Sequence, residues 1–155
     1  MSISIDRRLA DLGIVLPTPA APVANYLGAV RSGTLLAVAG QLPLGLDGKL
    51  LASGKLGEGV SVEDGKAAAR ASAIGILAQA RSALGSLDRV ERIVRLGGFI
   101  ACVPGFTQHP AVMNGASDFM VEVFGDRGRH ARTTVGVPSL PLDAPVEVEA
   151  LIEVR

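Results

Sequence analysis

The stretch 61–85 constrains this chain most. Ser61-Val62-Glu63-Asp64 is close to a capping box, with an acid at the third helical position. Val62, Ala67, Ala71, Ile74, Leu77, Ala78 and Leu84 then recur at helical spacing, and Gly85 closes the run. The helix is rich in alanine, which loses the least entropy on becoming helical. Its small side chains let it lie close on a sheet, so the rest of the chain must supply one.

The flanking segments supply it. Runs 23–30 and 35–42 read as strands joined by turn chemistry at Arg31-Ser32-Gly33, the second apolar enough on both sides to be a buried strand. Segment 44–59 reads as a loop or edge hairpin with a turn at Asp47-Gly48. Segment 90–103 reads as a long strand broken by Pro104-Gly105. A second helix starts near Pro110 and ends at Phe124, before Gly125. Strands 131–137 and 146–154 follow, joined by loop 138–145. Ahead of all these, Ser4 can cap a short helix with Ile5, Leu9 and Leu12 on one face, and Gly13 can end it. Residues 17–22 form a Pro-rich extended linker, because each proline bars helix at the residue before it. The expected organisation is one domain over 1–155, with the helix and linker in 1–22 and the core in 23–155.

The element order is strand, strand, loop, helix, strand, helix, strand, strand. Strands and helices do not alternate strictly, so the order predicts an α+β fold. Its sheet is mixed, mainly antiparallel, with both helices on one face. In the last strand Val146, Val148, Ala150, Ile152 and Val154 fall on one side, and Glu147, Glu149, Leu151 and Glu153 on the other. A partly apolar back face predicts self-association through it.

Composition excludes several classes of function. With 15 Lys+Arg against 15 Asp+Glu, no Trp, one Tyr and four Phe, the chain lacks both the charge and the stacking groups of a nucleic-acid binder. One Cys and two distant His leave no disulfide framework and no expected metal site. No run approaches a membrane span, and residues 1–16 mix charged and apolar residues too closely for a signal peptide, so a cytoplasmic protein is expected. Gly115-Ala116-Ser117-Asp118-Phe119 lacks the last glycine of a nucleophile elbow, and Gly57-Glu58-Gly59 is no nucleotide loop. Cys102, among apolar neighbours, reads as a packed thiol. His109 reads as a capping or surface residue, and His130 as part of a solvated turn.

A cation and a carboxylate remain. Alternation puts Arg132, Thr134 and Gly136 on one side of their strand and Thr133, Val135 and Val137 on the other. If the second set packs on the helices, Arg132 points to the opposite face, the side that Glu147 takes on its own strand. The plain reading of that pair is a cross-strand ion pair between solvated residues, which is worth little.

The string from Arg132-Thr133-Thr134-Val135-Gly136-Val137-Pro138 through Leu140-Pro141 to Val146-Glu147-Val148-Glu149-Ala150 resembles the signature of the YjgF/RidA family, also called endoribonuclease L-PSP or translation inhibitor. Asn25-Tyr26 with Ala29-Val30, Ala39-Gly40-Gln41-Leu42-Pro43-Leu44, and segment 114–124 also resemble family stretches. The resemblance implies a chorismate-mutase-like fold and a homotrimer with clefts between subunits. It implies hydrolysis of reactive 2-enamino or 2-imino acids to 2-keto acids and ammonia without metal or organic cofactor. Arg132 would grip the substrate carboxylate and Glu147 would direct water or shuttle a proton. Tyr26, Ala39, Gly40 and Thr134 would line the pocket. The sequence departs from the family pattern at Leu27, at Ala39 in place of Ser and at Thr134 in place of Cys. These departures bear on substrate choice and leave open a non-catalytic small-carboxylate binder. The neutral charge and scarce aromatics speak against the ribonuclease or translation-inhibitor activity the older family label suggests.

Overall fold

Residues 3–19 and 21–155 are described by a computed structural model. Ala20 of the expected linker lies outside the described residues; the rest of the linker has no regular structure. The chain forms α1 (Ile5–Asp11), β1 (Ala29–Ser32), β2 (Leu35–Gln41), the short β3 (Lys55–Leu56) and β4 (Gly59–Val60), and α2 (Val62–Leu84). After these come β5 (Val90–Ala101), α3 (His109–Phe124), β6 (Ala131–Val137) and β7 (Val146–Val154).

Local chemistry sets the helix ends. The Ser61 hydroxyl accepts the Asp64 N–H at 3.1 Å, and Gly85 ends α2 in the left-handed region at φ 79°. In α1 the Ser4 hydroxyl accepts from the Arg7 N–H at 3.2 Å. The Ile5 N–H donates to the Asp88 carboxylate at 2.7 Å, which ties this helix to the turn before β5. Ile5 and Leu9 are buried and Leu12 packs against the core, so the apolar stripe of the short helix does find a surface.

The main sheet has the order β1-β2-β7-β5-β6. Only β5 and β6 pair in parallel within it, joined through α3; the other neighbours are antiparallel. β2 and β5 both flank β7 and run the same way, joined through α2. Two crossovers of the same hand put both helices on one face, as the element order predicts. Leu36, Ile93, Leu96, Ile100 and Ile152 from the sheet meet Ile76, Leu77, Phe119 and Met120 from the helices, all fully buried. Burying side chains of this size contributes about 1.5–3 kcal/mol each.

Three expectations shift. The first strand is Ala29–Ser32, because 23–28 has no partner strand, and the turn falls at Gly33-Thr34. Segment 44–59 holds an antiparallel bridge between Leu44 and Leu50 and the two-residue parallel pair β3–β4. In α2, Ala67 is exposed and Ile74 only half-buried, while Ala68, Ala69, Ala73, Ile76 and Ala80 face the core. The helix packs on both the sheet and α3, so alanine lines two of its faces and the periodic stripe is ambiguous. In β7 the expected split holds: Val146, Val148, Ala150, Ile152 and Val154 are buried, and Glu147, Glu149, Leu151 and Glu153 are not. Among the described residues no helix is long and apolar enough to cross a membrane.

Candidate functional site

A bulge builds the site around Glu147. Between Val38 and Gln41, β2 takes one more residue than β7 does between Ala150 and Val148. The extra length falls at Ala39-Gly40. The buried Gln41 side chain turns back and its amide donates to the carbonyls of Ala39, at 3.0 Å, and Gly40, at 3.4 Å. The Gln79 amide on α2 in turn donates to the Gln41 carbonyl at 3.5 Å. The bulge is therefore clamped from the helix side, and its other side is free to meet β7. There Gly40 lies against Glu147, whose carboxylate occupies the space a Cβ would take.

Glu147 makes no ion pair or hydrogen bond through its side chain among the described residues. Its half-burial pushes the carboxyl above the usual range, and nearby Glu149 pushes it further. Glu149 itself lies 3.8 Å from Arg95. The Glu147 carboxylate faces a cavity of about 460 Å³ that it shares with Tyr26, Gly28, Gly40 and Leu142. Tyr26 is 53% exposed, so it stands at the mouth. Leu142, in the cavity wall, and Asp143 after it are consecutive non-glycine residues in the left-handed region, at φ 58° and 60°. Strain of this kind costs on the order of 1–3 kcal/mol per residue and clusters at functional sites.

Arg132 is elsewhere. The guanidinium donates through Nη1 to Asn114 Oδ1 at 2.9 Å and Ser117 Oγ at 3.1 Å, and through Nη2 to the Pro110 carbonyl at 3.2 Å. All three partners are on α3, so Arg132 lies on the helix side of the sheet. This reverses the conditional assignment made from alternation. The residues left on the open face are Thr133 and Val135, the latter 43% exposed. β6 is an edge strand, and its apolar side is uncovered. Ser117 is held in turn by His130. The His130 Nδ1–H donates to the Gly128 carbonyl at 2.6 Å, which leaves Nε2, at 2.9 Å, to accept the Ser117 hydroxyl. His130 is thus part of a hydrogen-bonded chain rather than a solvated turn.

Of the residues singled out in the sequence, Tyr26, Gly40 and Glu147 line one cavity, with Ala39 beside them in the bulge. Arg132 and Thr134 are on the other side of the sheet. The Thr134 hydroxyl is buried there without a hydrogen-bond partner. Register sets Glu147 across β5 from Val135, so Arg132 is also three residues along its strand from that level. One copy of the chain does not bring the cation and the carboxylate together.

Gln41, Gln79 and Ser117 were not among the sequence candidates. Gln41 ends an otherwise apolar strand and Gln79 follows the mostly apolar run 71–78 of α2, which is a legible signal. Asn114 and Ser117 sit at helical spacing on one face of α3, legible only once Arg132 is known to face that helix. Cys102 packs against the core as expected and His109 opens α3, but the structure adds a contact between them that the sequence does not announce. Their Sγ and Nε2 lie 3.4 Å apart, and the thiol is half-exposed. Among the described residues no group of three or more His, Cys, Asp or Glu side chains is placed to hold a metal ion.

The chain and its fold have known relatives. Protein TCP17 of Trypanosoma cruzi is 50% identical over 148 residues, spanning 95% of this chain and 92% of that one. The crystal structure of Atu1372 from Agrobacterium tumefaciens, a protein of unknown function, is 43% identical. It matches with a TM-score of 0.91 over 97% of this chain and 92% of that one. A Shewanella oneidensis structure described as a "putative endoribonuclease" is 36% identical, with a TM-score of 0.94 over 98% and 100% of the two chains. The family model "YjgF/chorismate mutase-like, putative endoribonuclease" matches residues 6–154. With nearly its whole length matched and the mixed sheet and paired helices in place, the chain belongs to the YjgF/chorismate mutase-like family.

Proposed function

We propose that the protein hydrolyses small 2-imino or 2-enamino acids to 2-keto acids and ammonia, in clefts between the subunits of a homotrimer. The observation that carries this reading is Glu147: an unpaired, half-buried carboxylate with a raised pKa, facing a cavity that holds a small organic acid comfortably.

The chemistry asks for a group that can both give and take a proton. An enamine is protonated at carbon to give the imine. Water then adds to the imine carbon, its proton passes to nitrogen, and the resulting carbinolamine expels ammonia. A carboxyl whose pKa is raised can deliver the first proton and take the one from water. The substrate carboxylate needs a cation. Arg132 spends three of its five N–H donors on α3, so two remain for a carboxylate. The unpartnered Thr134 hydroxyl lies on the same side of β6. Arg132 and Glu147 are on opposite faces of one sheet, so a site using both takes them from two copies. The open face offers the surface for this: Val30, Leu35 and Val135 are 51%, 41% and 43% exposed on it.

The test mixes the protein with freshly generated imino acid and measures keto acid and ammonia. Acceleration over buffer is expected, and Arg132→Ala is expected to lower kcat/KM about a hundredfold. Light scattering in parallel is expected to give three times the chain mass. No acceleration, or a monomer at working concentration, overturns the reading. Binding of a 2-keto acid in calorimetry without turnover would favour carboxylate capture, a role with which Ala39 and Thr134, the family-pattern departures beside the site, are consistent.

A further inference from the structure

On the helix side of the sheet, beside the Arg132–Thr134 stretch of β6 and just past the end of β5, Cys102 meets the first residue of α3. Its Sγ is 3.4 Å from Nε2 of His109. The imidazole is held edge-on to the Phe106 ring, with centroids 5.2 Å apart at 68°. Gly136 of β6 faces the pair, and a Cβ there would come within 2.6 Å of Nε2 and 2.8 Å of Sγ. The glycine therefore keeps open the space above both atoms. That space belongs to a groove of about 680 Å³, which shares no lining residue with the Tyr26–Glu147 cavity. Lys55 and Glu58 also line it, and neither side chain makes an ion pair or hydrogen bond among the described residues. A groove that presents a nucleophile with a base, one free ammonium and one free carboxylate matches a zwitterionic ligand with an electrophilic centre. Cys102 is the chain's single cysteine, so no second thiol of this chain can resolve an adduct.

We propose that Cys102 and His109 form a thiol–imidazole site that exchanges with low-molecular-weight disulfides of the amino-acid type, cystine being the simplest. With its hydrogen on Nδ1, His109 accepts the thiol proton at Nε2. The Sγ electron pair attacks one sulfur of the disulfide; the Cys102–S bond forms and the S–S bond of the ligand breaks. The departing thiolate takes the proton back from His109, so the exchange needs no other oxidant. Lys55 receives the ligand carboxylate and Glu58 its ammonium group. The product is a mixed disulfide on Cys102 that persists until an external thiol reverses it.

Mass spectrometry of the full chain after incubation with cystine, or with the neutral hydroxyethyl disulfide, tests the proposal. A single cysteinyl adduct on the folded protein is expected. His109→Gln is expected to slow both reagents about tenfold, because the thiol then has no neighbouring base to take its proton. Gly136→Ala crowds a methyl group against both atoms, in the space where the disulfide would approach, and is expected to slow both as well, which gives a second reading should the histidine variant fail to fold. Lys55→Ala and Glu58→Ala are expected to slow cystine roughly two- to fivefold and to leave hydroxyethyl disulfide unaffected. The proposal is overturned if His109→Gln reacts with both disulfides at the wild-type rate, or if Cys102 is modified only after unfolding. It is equally overturned if the charge variants affect the two reagents alike.

Discussion

Gly115→Ala is expected to lower the melting temperature by roughly 5–10 °C, a loss of about 2–3 kcal/mol for a chain of this size. In an exposed helix the same exchange stabilises by about 1 kcal/mol, since alanine is the better helix former. Here the sign reverses because of what Gly115 faces. A Cβ at this position would collide with the Lys66 carbonyl and the main chain around it, so backbone, and not the end of a mobile side chain, stands in the way. Relief requires α2 and α3 to separate. That disturbs neighbours on the same interface: the Arg70–Glu122 pair at 3.0 Å and the Arg70 guanidinium 5.0 Å over the Phe119 ring. Overpacking against a fixed backbone outweighs the gain in propensity. Gly105 is the control, since nothing lies within 4 Å of a Cβ built there. Gly105→Ala is expected to change stability by less than about 0.5 kcal/mol. Thermal unfolding of the two variants side by side decides the matter. Equal melting temperatures would show that the helices can part freely and that the close contact has no energetic weight.

The contrast between these two glycines also marks where sequence reading stops. Ser61 and Gly85 are legible because a cap is a local event, decided within one turn of chain. The order of elements is legible for the same reason, and order with crossover handedness suffices to place both helices on one face. What a side chain meets across the molecule is a different matter. Alternation along β6 gives the parity of Arg132 but not its sign. The usual guide, that the apolar side faces the core, fails on an edge strand whose Val135 is 43% exposed. The hydrogen bonds that Arg132 donates to Asn114 and Ser117 decide it, and those acceptors lie eighteen and fifteen residues away on another element. Cys102 and His109 are only seven residues apart, yet their contact depends on how the intervening loop turns, and neither neighbourhood announces the other. That Tyr26, Gly40 and Glu147 line one cavity is not legible from spacing, because the bulge that joins them is held by Gln41 and Gln79 from the opposite side of the strand.

Glu147→Gln is expected to reduce deamination by about two to four orders of magnitude, while the folded protein becomes more stable at neutral pH. The two effects have one origin. Burial disfavours the charged carboxylate, and Glu149 adds repulsion, so the folded-state pKa lies above the unfolded one. The folded chain thus binds the Glu147 proton more tightly than the unfolded chain does. The stability this contributes is fully present below the unfolded pKa and is lost as pH rises through the folded pKa. Glutamine carries no such charge and loses nothing on that climb. The melting-temperature difference between variant and wild type is therefore expected to be near zero in acid, to open as pH passes the unfolded pKa, and to level off above the folded one. Catalysis runs the other way, because glutamine neither gives nor takes a proton. Gly40→Ala separates position from charge. It keeps the carboxyl group but pushes it out of the space it occupies beside the bulge, so activity should fall while the pH dependence of stability weakens. A Glu147→Gln variant that retained full activity, or that lost stability at neutral pH, would mean this carboxylate is a structural group whose burial serves the fold and not a proton carrier for the reaction.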